Sequence, residues 1–208
     1  MSALAAYESG LRAAGGCQVS FGDDLRINLP IERWLSPAGS SDSLLLELCK
    51  GPTLDVGCGP GRMTVSLQQR GVKAIGIDVS SEAVRIARSR GATAHHGDVF
   101  GEVPDAGGWE HLLLADGNIG IGGSPVRLLR RARALIKITG SIVVDVDPPG
   151  LGLRRSRMRV EAHGHAGWLR WARVGVDVIP AVAAHAGLVV STVTTDGHER
   201  HVVELRPG

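Results

Sequence analysis

Residues 53–62 read Thr-Leu-Asp-Val-Gly-Cys-Gly-Pro-Gly-Arg, a short apolar run that ends in a carboxylate segment and enters a turn with glycine at every second position. Such a stretch folds as strand, tight turn and helix, because glycine takes left-handed backbone without strain and lets the main chain approach a ligand closely. The helix that follows offers unpaired N–H groups and about half a positive charge at its N-terminus, which makes the unit an anion site. Diphosphate is the usual guest, but Asp55 would repel it, and position 62, where the dinucleotide fingerprint needs its third glycine, holds Arg62. The phosphate loop of nucleotidases is excluded too, since no Gly-Lys-Ser or Gly-Lys-Thr follows. The segment suits a ligand that carries an ammonium for Asp55 beside a carboxylate for the helix N-terminus.

From residue 53 onward strand-like and helix-like segments alternate, the pattern of a parallel sheet covered on both faces. Strands are expected at 53–56, 73–78, 92–96, 112–115 and 141–146, each short, apolar and bounded by Gly, Asp or Pro. A helix over 81–90 has a capping Ser80 or Ser81, Glu82 in its first turn, and Arg88, Arg90 and Gly91 at its end. Another begins at Ser124-Pro125 and runs to Lys137, with Leu128, Leu129, Ala132, Leu135 and Ile136 as its apolar face and Arg127, Arg130, Arg131, Arg133 and Lys137 read as solvated. Later segments suggest a hairpin at 158–163 and 168–174, a helix at 177–186, and strands at 188–194 and 200–205 joined by an Asp196-Gly197 turn.

Three further segments stand at matching distances from the glycine turn. Gly76-Ile77-Asp78-Val79 ends the second strand, Gly97-Asp98-Val99 follows the third, and Leu112 to Gly117 spans the fourth strand and its loop. With Leu54 to Arg62, these resemble the motifs of the class I S-adenosylmethionine-dependent methyltransferases, over roughly residues 50–147 and more loosely near the C-terminus. The resemblance implies an α/β, Rossmann-like doubly wound sheet of about seven strands, mostly parallel with an antiparallel last strand and helices on both faces. It also implies S-adenosylmethionine as cofactor and S-adenosylhomocysteine as product. Asp55, Val56, Gly57, Cys58, Gly59 and Gly61 would surround the methionine end, which Ala115 and Asp116 close over. Asp78, beside Val79, would accept the ribose hydroxyls, Asp98 would meet the adenine amine, and Val99 would pack against the ring.

A chain of 208 residues suits one domain that buries roughly 70% of its unfolded surface. Its expected parts are a helical cover or lid over 1–50, a cofactor-binding core over 51–147, an inserted hairpin near the acceptor over 148–176, and a C-terminal helix with strands over 177–208. No apolar run approaches the ~18 residues that cross a bilayer, and residues 1–16 lack the cationic start and apolar core of a secretory signal. Cys17, Cys49 and Cys58 are odd in number with no C-x-x-C pair, so reduced thiols and a cytoplasmic setting are expected.

Methyl transfer from a sulfonium is an in-line displacement in which positioning does most of the work. A general base helps only where the acceptor must lose a proton. His163 and His165, beyond the fifth strand, are the candidates for that role; no other catalytic residue is identified. Trp168 and Trp171 would face opposite sides of a strand, which leaves Trp168 as a candidate acceptor contact together with Asn118, just past the fourth strand. The Asn/Asp-Pro-Pro-aromatic motif of many nitrogen methyltransferases is absent there, and Asp147-Pro148-Pro149-Gly150 lacks the aromatic. Asp116, Asp145 and Asp147 sit at strand ends but without the flanking pattern of the metal-using branch, so no metal is assigned.

The net charge of +2 favours a small-molecule acceptor over nucleic acid. The alternatives are an RNA or protein methyltransferase that uses Arg154, Arg155, Arg157 and Arg159, and a noncatalytic or non-methylating cofactor-binding protein. The acceptor, the methylated atom and the oligomeric state are left open.

Overall fold

The computed structural model describes residues 2–21, 25–196 and 200–208. Ahead of the glycine turn lie α1 (Ala3–Arg12), β1 (Gln18–Phe21), β2 (Leu25–Asn28), α2 (Ile31–Leu35) and α3 (Ser43–Leu48), with a 3-10 turn at Ser40–Asp42. The alternating core follows as β3 (Thr53–Val56), α4 (Arg62–Gln69), β4 (Ala74–Asp78), α5 (Ser81–Ser89), β5 (Ala94–His96), β6 (Trp109–Leu114), α6 (Pro125–Leu135) and β7 (Ile136–Val146), with a 3-10 segment Asn118–Gly123 after β6. The hairpin β8 (Leu153–Ala162) and β9 (His165–Val174) comes next, then α7 (Ile179–Ala184), β10 (Leu188–Thr195) and β11 (His201–Pro207).

The main sheet has seven strands in the order β10-β11-β7-β6-β3-β4-β5. Pairs β7–β6, β6–β3, β3–β4 and β4–β5 are parallel, and β11 lies antiparallel between β7 and β10. The chain therefore winds outward through β3, β4 and β5, then returns to the other side of β3 with β6. In open α/β sheets a ligand crevice forms outside the carboxyl ends of the strands at such a reversal.

Alternation with period two assigns each strand residue to a face. Leu112, Leu114, Ile142, Val144, Val203 and Leu205 pack with Leu128, Leu129 and Leu135 of α6 and Val182 of α7. The intervening Leu113, Val143 and Val202 pack with Leu45 and Leu46 of α3 and Met63 and Leu67 of α4. Both faces are thus buried, as parallel strands require.

Some details depart from the sequence reading. The stretch 1–50 is not helical throughout: β1 and β2 pair antiparallel, β1 pairs with β8, and a four-stranded sheet β2-β1-β8-β9 results. Val19, Phe21 and Ile27 alternate with Gln18, Ser20, Arg26 and Asn28, a strand pattern too short to stand out before its partner β8 is known. The helix α6 ends at Leu135, because Ile136 already pairs with Trp109 as the first residue of β7. Gly197 of the expected final turn lies outside the described residues; the neighbouring Asp196 Oδ1 accepts from the Arg200 N–H at 2.9 Å.

The arginines of α6 are not simply solvated. Arg130 donates to the His185 carbonyl, Arg131 donates to the Val99 and Gly101 carbonyls, and the Arg127 guanidinium lies 4.0 Å from the centre of the Phe100 ring. These contacts tie α6 to the end of α7 and to the loop after β5.

Candidate cofactor and acceptor site

A cavity of about 1160 Å³ lies between the carboxyl ends of the parallel strands and the small antiparallel sheet. Pockets for a single drug-sized ligand are about 300–1,000 Å³, so this one has room for a cofactor and a second molecule.

The glycine turn forms one wall. Gly57, Gly59 and Gly61 have φ of 70°, 53° and 82°, the left-handed region that favours glycine. The turn is pinned by the Gly57 and Cys58 N–H groups donating to the Ile77 carbonyl at 2.8 and 3.2 Å, and by Asn118 Nδ2 donating to the Val56 and Gly57 carbonyls at 2.9 and 3.0 Å. Asn118 therefore closes the turn through its amide nitrogen as well as lining the cavity. Of the expected cofactor residues, Asp55, Val56, Gly57, Cys58, Gly59, Asp78, Val79, Asp98, Val99, Ala115 and Asp116 all line the cavity. Gly61 is not among the lining residues: a Cβ there would stand 2.8 Å from the Ala87 Cβ, so its role is to let α4 start against α5.

The acidic residues differ in setting. Asp55 is fully buried and accepts a hydrogen bond from Thr64 Oγ1 at 2.7 Å; burial pushes its pKa up to about 6 despite that bond. Asp78 accepts the Gly59 N–H on Oδ2 at 2.9 Å and the Ser80 N–H on Oδ1 at 2.8 Å. A carboxylate offers about four acceptor sites, so this one is held rigidly with capacity left for two hydroxyls. Burial raises its pKa, opposed by those two bonds. Asp98 is exposed and lines the cavity, with Oδ1 accepting the Phe100 N–H at 2.9 Å. Cys58 is buried against the space left by Gly76, and burial raises its thiol pKa well above normal, which makes it a packing residue and not a nucleophile. Left-handed glycines that permit close approach, a held carboxylate at the second strand and an open one at the third are the features that S-adenosylmethionine needs, and the residues fit it.

Beside the glycine turn lies a charge network that sequence reading did not find. Arg62, the first residue of α4, is 3% exposed; it pairs with Asp42 and, at 2.5 Å, with Asp116. Arg200 donates to Asp42 at 2.9 Å, Asp145 at 2.7 Å and Asp116 at 3.1 Å. Arg33 of α2 reaches Asp42 at 3.0 Å and Asp116 at 3.5 Å. Burial works against ionisation of Asp42, but the bonds from Arg62, the Gly39 N–H and Arg200 win and hold its pKa near about 2. Arg62 had its sequence signal at the end of the glycine motif, whereas Asp42 had none in its Ser-rich surroundings.

The N-terminal segment covers the site. Glu8 of α1 accepts from the Ser80 and Ser81 hydroxyls at 3.0 and 3.2 Å, which anchors α1 at the start of α5. The Tyr7 hydroxyl then stands 3.3 Å from where a Gly59 Cβ would be, and its ring meets Trp34 edge-on at 6.1 Å. Burial, then the Asp78 charge, raises the Tyr7 pKa well above normal, so the phenol stays a neutral donor.

The opposite wall is apolar. Val19, Phe21, Met158, Val160, Leu169 and Trp171 of the small sheet face the cavity, while Trp168 on the alternate face lies at its rim, 52% exposed. The structure does not bring His163 or His165 into the cavity lining. His163 sits at the β8–β9 turn with Nε2 3.0 Å from the Gly15 carbonyl, and His165 is the first residue of β9; a hairpin tip points away from the strand ends where the chemistry gathers. Asp147, the remaining strand-end carboxylate, is held by Arg173 at 2.5 Å.

Comparison with known proteins agrees with this geometry. Residues 53–140 match the family model of the methyltransferase domain. A crystal structure of a SAM-dependent methyltransferase from Bacteroides fragilis in complex with S-adenosyl-L-homocysteine superposes with a TM-score of 0.83 at 21% identity, covering 99% of this chain and 94% of that one. The CcbJ methyltransferase of Streptomyces caelestis superposes with a TM-score of 0.63 at 16% identity, over 84% of this chain and 92% of that one. The O-methyltransferase NcsB1 from neocarzinostatin biosynthesis, in complex with S-adenosyl-L-homocysteine and 1,4-dihydroxy-2-naphthoic acid, gives 0.58 at 20% identity over 78% of this chain and 50% of that one. With the motif spacing and the sheet order in agreement, residues 53–140 match a methyltransferase domain, and the chain as a whole has the fold of S-adenosylmethionine-dependent methyltransferases.

Proposed function

We propose that this methyltransferase transfers the methyl group of S-adenosylmethionine to a small, largely apolar acceptor held against the antiparallel sheet. The observation that carries the reading is the two-sided cavity, with glycines and carboxylates along one wall and Val19, Phe21, Met158, Val160, Leu169 and Trp171 along the other. An NcsB1 structure that holds a naphthoic acid gives a precedent for such an acceptor on the same fold. In this reading Asp55 faces the cofactor ammonium, Asp78 binds the ribose, Asp98 the adenine amine, and Val79 and Val99 pack the ring.

The cofactor supplies the electrophilic methyl; the protein aligns the acceptor behind it and excludes water. Such alignment is worth up to about 7–11 kcal/mol. No histidine lines the cavity among the described residues, and Asp116, Asp145 and Asp147 are each engaged by an arginine. This favours an acceptor that reacts without a histidine base. We also read the setting as cytoplasmic, with Cys17, Cys49 and Cys58 all free and buried; no helix among the described residues is long and apolar enough to cross a membrane.

The test is incubation with methyl-labelled cofactor and a metabolite extract, followed by mass spectrometry. Label in a low-molecular-weight apolar product is expected. Label found only in RNA or protein would overturn the small-molecule assignment, and cofactor binding without any labelled product would overturn catalysis.

A further inference from the structure

The outward face of the small sheet carries charge that the cavity does not use. Residues two apart on a strand share a face and are separated by about 6.8 Å, so Arg155, Arg157 and Arg159 form a row on β8. In register on β9, Arg157 stands directly opposite Arg170, and Arg159 opposite Trp168. Like charges directly opposite on one face of an antiparallel pair destabilise it. Two arginines nearby are neutralised: Arg159 pairs with Glu161 at 2.8 Å, and Arg173 with Asp147 at 2.5 Å, whereas Arg155, facing Ala172 at the other end of the row, is exposed. Among the described residues Arg157 and Arg170 have no ion-pair partner, and both are exposed.

Arg170 of this pair lies at the mouth of the cavity, with Arg157 beside it across the strand pair. Trp168 and Arg170 belong both to the outer face and to the cavity rim, and the Arg157 guanidinium lies 5.5 Å from the centre of the Trp168 ring. With Cβ atoms about 4.5–5.5 Å apart, the two arginines put two positive charges side by side, next to the Trp168 ring. A carboxylate would balance only one of them, whereas a phosphate monoester carries about −1.5 to −2 and accepts the bidentate donors that arginine offers.

We propose that the acceptor bears a phosphate-containing handle, which lies between Arg157 and Arg170 beside Trp168 while its apolar part enters the cavity. The inference rests on the methyl-transfer reading of that cavity. A long polyanion is disfavoured because Glu161 interrupts the row and neutralises Arg159, and the net charge of the chain is only +2.

The test uses inorganic pyrophosphate as probe, titrated into the full chain and followed by tryptophan fluorescence and calorimetry. Saturable binding is expected, weaker by about tenfold or more in Arg157→Gln/Arg170→Gln, with the fluorescence response lost in Trp168→Phe. The double variant should melt at the same or a higher temperature at low salt, since it removes a repulsion, and should bind S-adenosylhomocysteine as the parent does. No saturable binding, binding unchanged in the double variant, or equal competition by sulfate would overturn the proposal. Tighter binding of a short single-stranded RNA than of pyrophosphate would also overturn it, in favour of a macromolecular partner. Loss of S-adenosylhomocysteine binding by the parent protein would refute the methyl-transfer reading instead, so the two failures are distinguishable.

Discussion

Acidification is expected to weaken cofactor binding through Asp55. Burial raises its pKa from 3.8 to about 6 in the ligand-free protein, so the sign is opposite to that of a paired surface carboxylate. The native state binds a proton more readily than the unfolded chain, and the Asp55 contribution to stability declines as pH rises from about 4 to about 6, by about 3 kcal/mol in all. An ammonium placed against the carboxylate favours its ionised form and lowers the bound-state pKa by about 1–3 units. Binding therefore tightens as pH rises through about 6. At about pH 5 roughly one Asp55 in eleven is ionised in the free protein, so the apparent affinity should be about tenfold weaker than at about pH 8. Calorimetric titration of S-adenosylhomocysteine across this range measures it, with Asp55→Asn as the control. The variant should bind weakly with a flat profile, which separates Asp55 from Asp78 and Asp145, whose pKa values are also raised by burial. An affinity in the parent that is constant or improves toward low pH, or an equal slope in Asp55→Asn, would refute the placement of the ammonium.

Three other outcomes are expected. Asp78→Ala should weaken S-adenosylhomocysteine binding by about 1–3 kcal/mol, because it removes charge-assisted acceptors held in place by Gly59 and Ser80; unchanged calorimetric affinity would contradict the ribose assignment. Arg62→Met leaves Asp42 and Asp116 short of a buried partner and should lower stability by about 3–5 kcal/mol in urea unfolding, whereas a loss below 1 kcal/mol would mean that Arg33 and Arg200 suffice. Because the Asp42 pKa is lowered to about 2, its contribution of about 2 kcal/mol is present above about pH 4 and lost as pH falls through about 2. The acid-unfolding midpoint should thus move upward in Asp42→Asn, and an unmoved midpoint would show that the network does not tie stability to this charge.

What could be read early and what could not follow from the separation of the interacting groups. Asp55, Asp78 and Asp98 each end a strand or follow one directly, so their positions relative to the crevice are set by local alternation, and all three line the cavity. Neighbouring parallel strands then bring them side by side. His163 and His165 looked suitable because they follow the fifth strand, but the hairpin that carries them runs along the small sheet and places its turn beside Gly15.

The chain's own order of residues determined the α/β alternation, the glycine turn and the identity of the cofactor, because each is encoded within a few residues by backbone preference and side-chain period. Only the tertiary structure decided that β1 and β2 would join β8 and β9, that Asp42, Arg62 and Arg200 would meet, and that Arg157 would stand across from Arg170. Those contacts join residues far apart in the chain, and their register depends on how whole elements pack, which no local pattern records.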